Sequence, residues 1–274
     1  MLYSFKKDLN FPYSRALTFI SLPVSNDFTD PADEDSFLGR ASKACKEIAE
    51  QVKNTDFLQT LKTGALDEKH YAGLSYLDAY YCFEAKKTLD LFLEKLSKKE
   101  EEKATDNAPY AELRKLVTYL RDGYVSYNKE IIERWQCESS DKFIPTWDMQ
   151  NYALFERTVI GCENPIYALV AFLPCYYLWP WFSKEIKEDP LYHPSHDKKD
   201  YSDWFDRNYS DDSNFDKPKQ ISKFIDKWIK DKHSWKEDSA LSIFKQSMEY
   251  ELSVFKNAST YVMPDTVQQD YTID

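Results

Sequence analysis

Glycine is scarce in this sequence, with five in 274 residues. So few glycines argue against phosphate-cradling loops and against a fold rich in tight turns. Neither G-x-G-x-x-G nor G-x-x-x-x-G-K occurs. No run of about 18 apolar residues is present, so no membrane span is expected. The first residues, MLYSFKKDLNFPYSRALTFISLPV, lack a signal-peptide pattern, because the apolar part is short and interrupted and no small-residue cleavage site follows. A cytoplasmic location is expected. Positive charge is in deficit: 36 basic against 47 acidic residues give a formal net charge of -11. That balance argues against nucleic acid and anionic membrane as partners. The cysteines, 45, 82, 137, 162 and 175, are odd in number and lack C-x-x-C spacing, which suits a reducing cytosol and gives no zinc signature. The four histidines, 70, 193, 196 and 233, form no Glu-x-x-His pair, so a di-iron site is discounted and no metal is expected. No strand-like alternation is seen.

What is abundant is aromatic: 20 Tyr, 17 Phe and 7 Trp. Many tyrosines suit either an ordinary core or a lined pocket where hydroxyls meet a polar ligand. Residues 1–33 read as irregular, with Pro12, Pro23 and Pro31. From Asp35 a helical period begins and carries Phe37, Leu38, Ala41, Ala44, Cys45, Ile48, Ala49 and Val52. A short helix over Asp56–Lys62 ends at Gly64. Asp67 caps a long helix with Tyr71, Leu74, Leu77, Asp78, Tyr81, Ala85, Leu89, Phe92 and Leu96 on one stripe. KKEEEKATDNAP reads as a polar connection, and Pro109 opens the next helix. Further helices are expected at 147–160, 164–187, 200–209, 217–232 and 238–258. The reading is all-α: one domain over 34–260, a bundle of roughly eight helices, followed by a tail at 261–274.

Residues 169–187, LVAFLPCYYLWPWFSKEIK, are the most informative stretch. Cys175 sits among apolar and aromatic residues with Pro174 and Pro180 on either side, and no charge falls between Glu163 and Lys184. A proline inside a helix costs about 3 kcal/mol or more, so a buried helix that keeps one beside a thiol is a candidate wall of a cavity. The plain alternative is that Cys175 is a small core hydrophobe. Two carboxylates raise the same question. Asp78 lies on the apolar stripe of the long helix, with Tyr81 three residues on, and Glu251 lies on the apolar side of the last helix, four before Phe255. A buried carboxylate needs a partner.

Together these pieces resemble the TenA family, also called thiaminase II or aminopyrimidine aminohydrolase. The resemblance runs from about Phe57 to Ala258. It rests on Phe57-Leu58 and Leu61 through TGALDEKHY, on Leu77-Asp78-Ala79-Tyr80-Tyr81, on Leu173-Pro174-Cys175-Tyr176, on Trp204 to Tyr209 with Phe215, and on Glu251 with Phe255 and Ala258. It implies the haem-oxygenase-like helical fold, no cofactor and a homo-oligomer, tetramer or dimer. It also implies Cys175 as nucleophile and Glu251 as general acid and base. Asp78 would bind the aminopyrimidine edge, and Tyr81 and Tyr209 would shape or stack on the pocket. The pocket tyrosine from the helix before Cys175 is Tyr152 or, with a shift of one, Asn151. Two departures stand out: Leu77 where the family has Gln, and Trp179 where it has Tyr.

The residue types suit that chemistry by themselves. An electron-poor pyrimidine accepts a thiolate at C6, which lets the group on its 5-methylene depart. An ordinary thiol, of pKa about 8.5, is only a few per cent thiolate at neutral pH and needs activation. A glutamate in an apolar pocket can act as acid near neutrality, while a second carboxylate that stays ionised suits donors on the ring. The expected activity is therefore a thiamin-salvage hydrolase acting on a small pyrimidine, with a non-catalytic pyrimidine-binding protein as the alternative.

Overall fold

A computed structural model describes residues 35–102, 108–135, 143–193, 199–208, 216–231 and 235–262. Among them are ten helices and no strand: α1 (Phe37–Ala44), α2 (Lys46–Lys53), α3 (Asp56–Lys62), α4 (Glu68–Glu102), α5 (Ala108–Trp135), α6 (Trp147–Ile160), α7 (Ile166–Lys187), α8 (Lys199–Asn208), α9 (Asp216–Lys230) and α10 (Glu237–Ala258). Local chemistry sets most boundaries. Ser36 and Thr146 cap α1 and α6 through their hydroxyls. Asp67 accepts from the Lys69 N–H at 2.8 Å to open α4, and Asn164 does the same for Ile166 at 3.1 Å to open α7. Gly64 takes a φ of 70° just past α3, a conformation that favours glycine.

Two expectations are corrected. The first helical run is two helices, because Cys45 leaves helical geometry (φ -107°, ψ 13°) while its N–H still bonds the carbonyls of Ala41 and Ser42. Phe37, Leu38, Ala41, Cys45, Ala49 and Val52 are all buried across the break, so packing rather than backbone continuity keeps the period. The segment from Lys98 to Glu102 is the end of α4, not a connection.

α4 and α5 form a long pair, while α10 and α7 lie at the centre and touch each other and α6. α7 is long and apolar enough, by length and composition, to cross a membrane, which the expectation from apolar runs did not anticipate. In this fold most of it is buried against α10, α9, α6, α8 and α2. Pro174 has no N–H for the carbonyl one turn back. The next carbonyl, of Ala171, takes a 2.9 Å hydrogen bond from Ser247 of α10. That bond ties the turn preceding Cys175 to the turn preceding Glu251. Below it, Phe182 stacks on Trp204 at 5.9 Å and meets Phe255 edge-on at 5.2 Å. Such large side chains each contribute about 1.5–3 kcal/mol on full burial, which makes this a firm floor.

Candidate active site

Along α7, Leu173, Pro174, Tyr177 and Leu178 are buried, whereas Cys175, Tyr176 and Trp179 keep accessible surface. One face of a core helix therefore looks into a space that solvent can reach. Tyr127 of α5 and Lys217 of α9 are also partly accessible, and both act electrostatically on this group. The shallow cleft bounded by Glu50, Asn54, Asp56 and Lys256 holds none of these residues.

Three carboxyls approach the thiol with graded exposure. Asp78 is 9% exposed, Glu251 3% and Glu156 0%. Burial pushes Asp78 up to about 7, against the pull of the Tyr127 hydroxyl and the Arg207 guanidinium. Burial also pushes Glu251 up to about 7, although the Tyr152 hydroxyl donates to its Oε1 at 3.0 Å. Glu156 is held well above the carboxylate range, first by burial, although Tyr81 donates to its Oε1 at 2.7 Å. The two carboxylates expected to diverge in acidity thus sit close together, because neither is solvated.

Cys175 is densely enclosed despite its accessible edge. Burial raises its thiol well above the ordinary range, and the charges of Glu251, Asp78 and Glu156 add to the rise. The Tyr124 hydroxyl and the Lys217 ammonium pull the other way. Burial thus favours the thiol over the thiolate in the free protein, so Cys175 needs activation.

The walls are aromatic. Tyr81 stacks on Tyr152 at 5.1 Å, Tyr152 on Tyr250 at 5.6 Å, and Tyr124 meets Tyr81 edge-on at 5.8 Å. Trp179 packs against Phe182, Trp204 and Phe255. Its indole N–H lies close enough to Glu251 to favour the carboxylate but is buried without a hydrogen bond of normal geometry. So the replacement for tyrosine offers Glu251 a donor rather than removing one. The Lys217 ammonium lies 5.7 Å from the Tyr176 ring centre and 5.9 Å from that of Tyr119, and its charge reaches Cys175 and Cys82.

Asp78, Tyr81, Tyr152, Cys175, Trp179 and Glu251 come together as one cluster. Tyr152, not Asn151, is the buried residue that faces it. Tyr209 lies outside the described residues. The sequence reading missed Glu156, Tyr124, Tyr127, Tyr176 and Lys217. Glu156 carries the same signal that picks out Asp78 and Glu251: it sits on the buried stripe of α6 with Met149, Tyr152, Ala153, Val159 and Ile160. Among the described residues, no three His, Cys, Asp or Glu side chains converge tightly enough to hold a metal ion.

The all-α arrangement of ten helices among the described residues is that of the haem-oxygenase-like fold. No protein-family profile matches the sequence, and no curated protein matches it. Among solved structures, the chain is similar to a TenA homologue from P. horikoshii OT3, with 19% identity, 82% of this chain and 98% of that one covered, and a TM-score of 0.66. It is similar to a TenA family transcription regulator from Silicibacter sp. TM1040, with 13% identity, coverage of 84% and 100%, and a TM-score of 0.66. It is also similar to a putative TenA-like thiaminase from Sulfolobus solfataricus P2, with 15% identity, coverage of 80% and 94%, and a TM-score of 0.50. Within the haem-oxygenase-like class, the fold of this chain is that of the TenA homologues.

Proposed function

We propose that this protein is a thiamin-salvage hydrolase of the TenA type. It would release ammonia from an aminomethyl-pyrimidine or cleave thiamin through a covalent adduct on Cys175. The observation that carries the reading is the convergence of one thiol and two carboxyls of near-neutral acidity, Glu251 and Asp78, within tyrosine walls. The TenA-like fold and the thiaminase named among similar structures support it.

In this reading Asp78 meets the amino group and a ring nitrogen of the pyrimidine, both donors once the nitrogen is protonated. Glu251 takes the Cys175 proton as sulfur bonds to C6, and gives it to the nitrogen as the C–N bond of the 5-methylene breaks. Water then adds to the methylene and yields a proton to Glu251. The C–S bond breaks, its electron pair returns to sulfur, and that proton restores the thiol. Tyr152 and the Trp179 N–H hold Glu251, and Tyr81, with Tyr209, shapes the pocket. A homo-oligomer, dimer or tetramer, is part of the proposal and is read by light scattering.

A second reading follows from the regulator named among the similar structures: a pyrimidine-binding protein without turnover. The net charge of -11 weighs against direct contact with nucleic acid. The test is ammonia release from 4-amino-5-aminomethyl-2-methylpyrimidine, with thiamin in parallel and Cys175→Ser as control. Turnover that vanishes in Cys175→Ser supports the hydrolase. Binding with no turnover in the parent protein supports the second reading.

A further inference from the structure

Glu156 has no role in the mechanism above, yet no side chain in the cluster is more enclosed. It lies one turn after Tyr152 on α6 and is 0% exposed. Its Oε1 takes the Tyr81 hydroxyl at 2.7 Å, and its Oε2 is enclosed with no hydrogen-bond partner. An unmet carboxyl oxygen at such depth is costly unless something completes it. The groups that act on Glu156 are Tyr81 and Glu251, and Glu156 in turn acts on Cys175, Tyr124, Tyr152 and Tyr176. It therefore belongs to the same cluster. The cations nearby serve others: Arg207 acts on Asp78, and Lys217 on Cys175 and Cys82.

We propose that Glu156 is a third ligand-binding carboxyl, whose free Oε2 receives the N–H of a positively charged amine carried by the ligand. The inference rests on the pyrimidine reading above and deepens it, by assigning a substrate with a primary ammonium group. An ammonium supplies the donor that Oε2 lacks and a positive charge beside Glu156, on which no cation among the described residues acts. It also favours the thiolate of Cys175, which the empty site disfavours. Such an amine already carries its leaving proton, so the proton held by Glu251 returns to sulfur and the proton lost by the added water leaves on the ammonia as ammonium. A hydroxymethyl group in the same place donates only a neutral hydrogen bond. A thiazolium has charge but no N–H to donate. Glu156 thus sets a preference for substrate amine over alcohol product.

The test is calorimetric binding at pH 7 to the Cys175→Ser protein, which does not turn over, with and without Glu156→Gln. The ligands are the aminomethyl-pyrimidine and its hydroxymethyl counterpart. Gln keeps the volume and the acceptor for Tyr81 but cannot ionise to meet an ammonium. Charged hydrogen bonds are about twice as strong as neutral ones, so the parent is expected to bind the amine about tenfold more tightly than the alcohol. Glu156→Gln is expected to weaken the amine alone and to bring the two within about threefold. Tyr81→Phe, which leaves the carboxyl in place, is expected to keep the preference, and this holds as a check if Glu156→Gln melts early. Equal weakening of both ligands in Glu156→Gln assigns a structural role and overturns the proposal. So does a preference that survives Glu156→Gln, or one that Tyr81→Phe abolishes. A parent that binds the pyrimidine without preferring the amine overturns this inference alone. A parent that binds neither compound overturns the pyrimidine reading and this inference with it.

Discussion

The chemistry of single residues here is set by burial more than by charge pairing. Glu251 has two donors close by, Tyr152 and the Trp179 indole, and still lies near 7 because its surroundings are apolar. In the proposed mechanism Glu251 must be ionised to accept the Cys175 proton. The rate kcat/KM is therefore expected to fall below about pH 7, the free-enzyme value shared with the coupled Asp78. Trp179→Phe removes the nearby N–H, so Glu251 moves up and the acid limb of the profile moves with it. A limb that stays in place in Trp179→Phe would show that the indole only packs. Asp78→Asn is expected to act differently, raising KM by about tenfold or more through a lost charged hydrogen bond while kcat changes less. Steady-state kinetics of both variants on the aminomethyl-pyrimidine separates these effects. Several of these residues are legible in the sequence because a charge on an apolar stripe stands out. Glu156 stands out equally by that criterion, but no familiar motif draws attention to it. Tyr124 and Tyr127 go unmarked because nothing in a sequence tells a core tyrosine from a lining one.

Elements carry a different kind of information, namely how closely one backbone passes another. Helix periods locate every helix, yet they cannot show that α1 and α2 are separate or that α4 runs on to Glu102. Those boundaries depend on backbone geometry and on partners distant in sequence. Gly73 in α4 is such a case. Its ordinary reading is a mild weakness, since alanine in a helix interior is better by about 1 kcal/mol. In the fold, a Cβ at Gly73 would meet the carbonyl oxygen of Tyr261 well inside contact distance, which no side-chain movement relieves. The segment after α10 is held there by other bonds. Tyr261 donates to the Ile144 carbonyl at 2.7 Å, the Ile144 N–H donates to Tyr76 at 2.7 Å, and Tyr76 stacks on Phe143 at 3.9 Å. This strap fixes the approach to α6, and α6 carries Tyr152 and Glu156. Gly73→Ala is therefore expected to destabilise by about 1–3 kcal/mol rather than stabilise. Thermal or denaturant unfolding measures it, and an unchanged or raised midpoint would mean that the strap yields freely. The same substitution should also lower kcat/KM, because α6 loses its anchor.

For the whole molecule, the site has a consequence for stability that its chemistry requires. Asp78 and Glu251 each rise to about 7 in the fold from ordinary values of 3.8 and 4.5, and Glu156 moves the same way. The folded protein thus holds protons that the unfolded chain releases. Stability from Asp78 and Glu251 is fully present below about pH 4 and is lost as pH rises towards 7, after which it levels off. A tenfold difference in acidity between the folded and unfolded chain corresponds to about 1.4 kcal/mol, so the loss is on the order of a few kcal/mol, a large part of a typical net stability. The net charge of -11 adds self-repulsion in the same direction, so the slope in one protein does not isolate the site. A comparison does. Asp78→Asn combined with Glu251→Gln keeps the shapes and removes the titration, and is expected to flatten the fall in melting temperature between about pH 5 and 7.5. The double variant should then be more stable than the parent at the upper end of that range, while turnover is lost. Equal slopes in the two proteins would mean that the carboxyls are solvated in solution and that the enclosed site does not form. A bound ammonium ligand should flatten the parent's profile in the same way, because it supplies the missing positive charge. It would raise the melting temperature at about pH 7.5 more than a hydroxymethyl ligand of equal occupancy does.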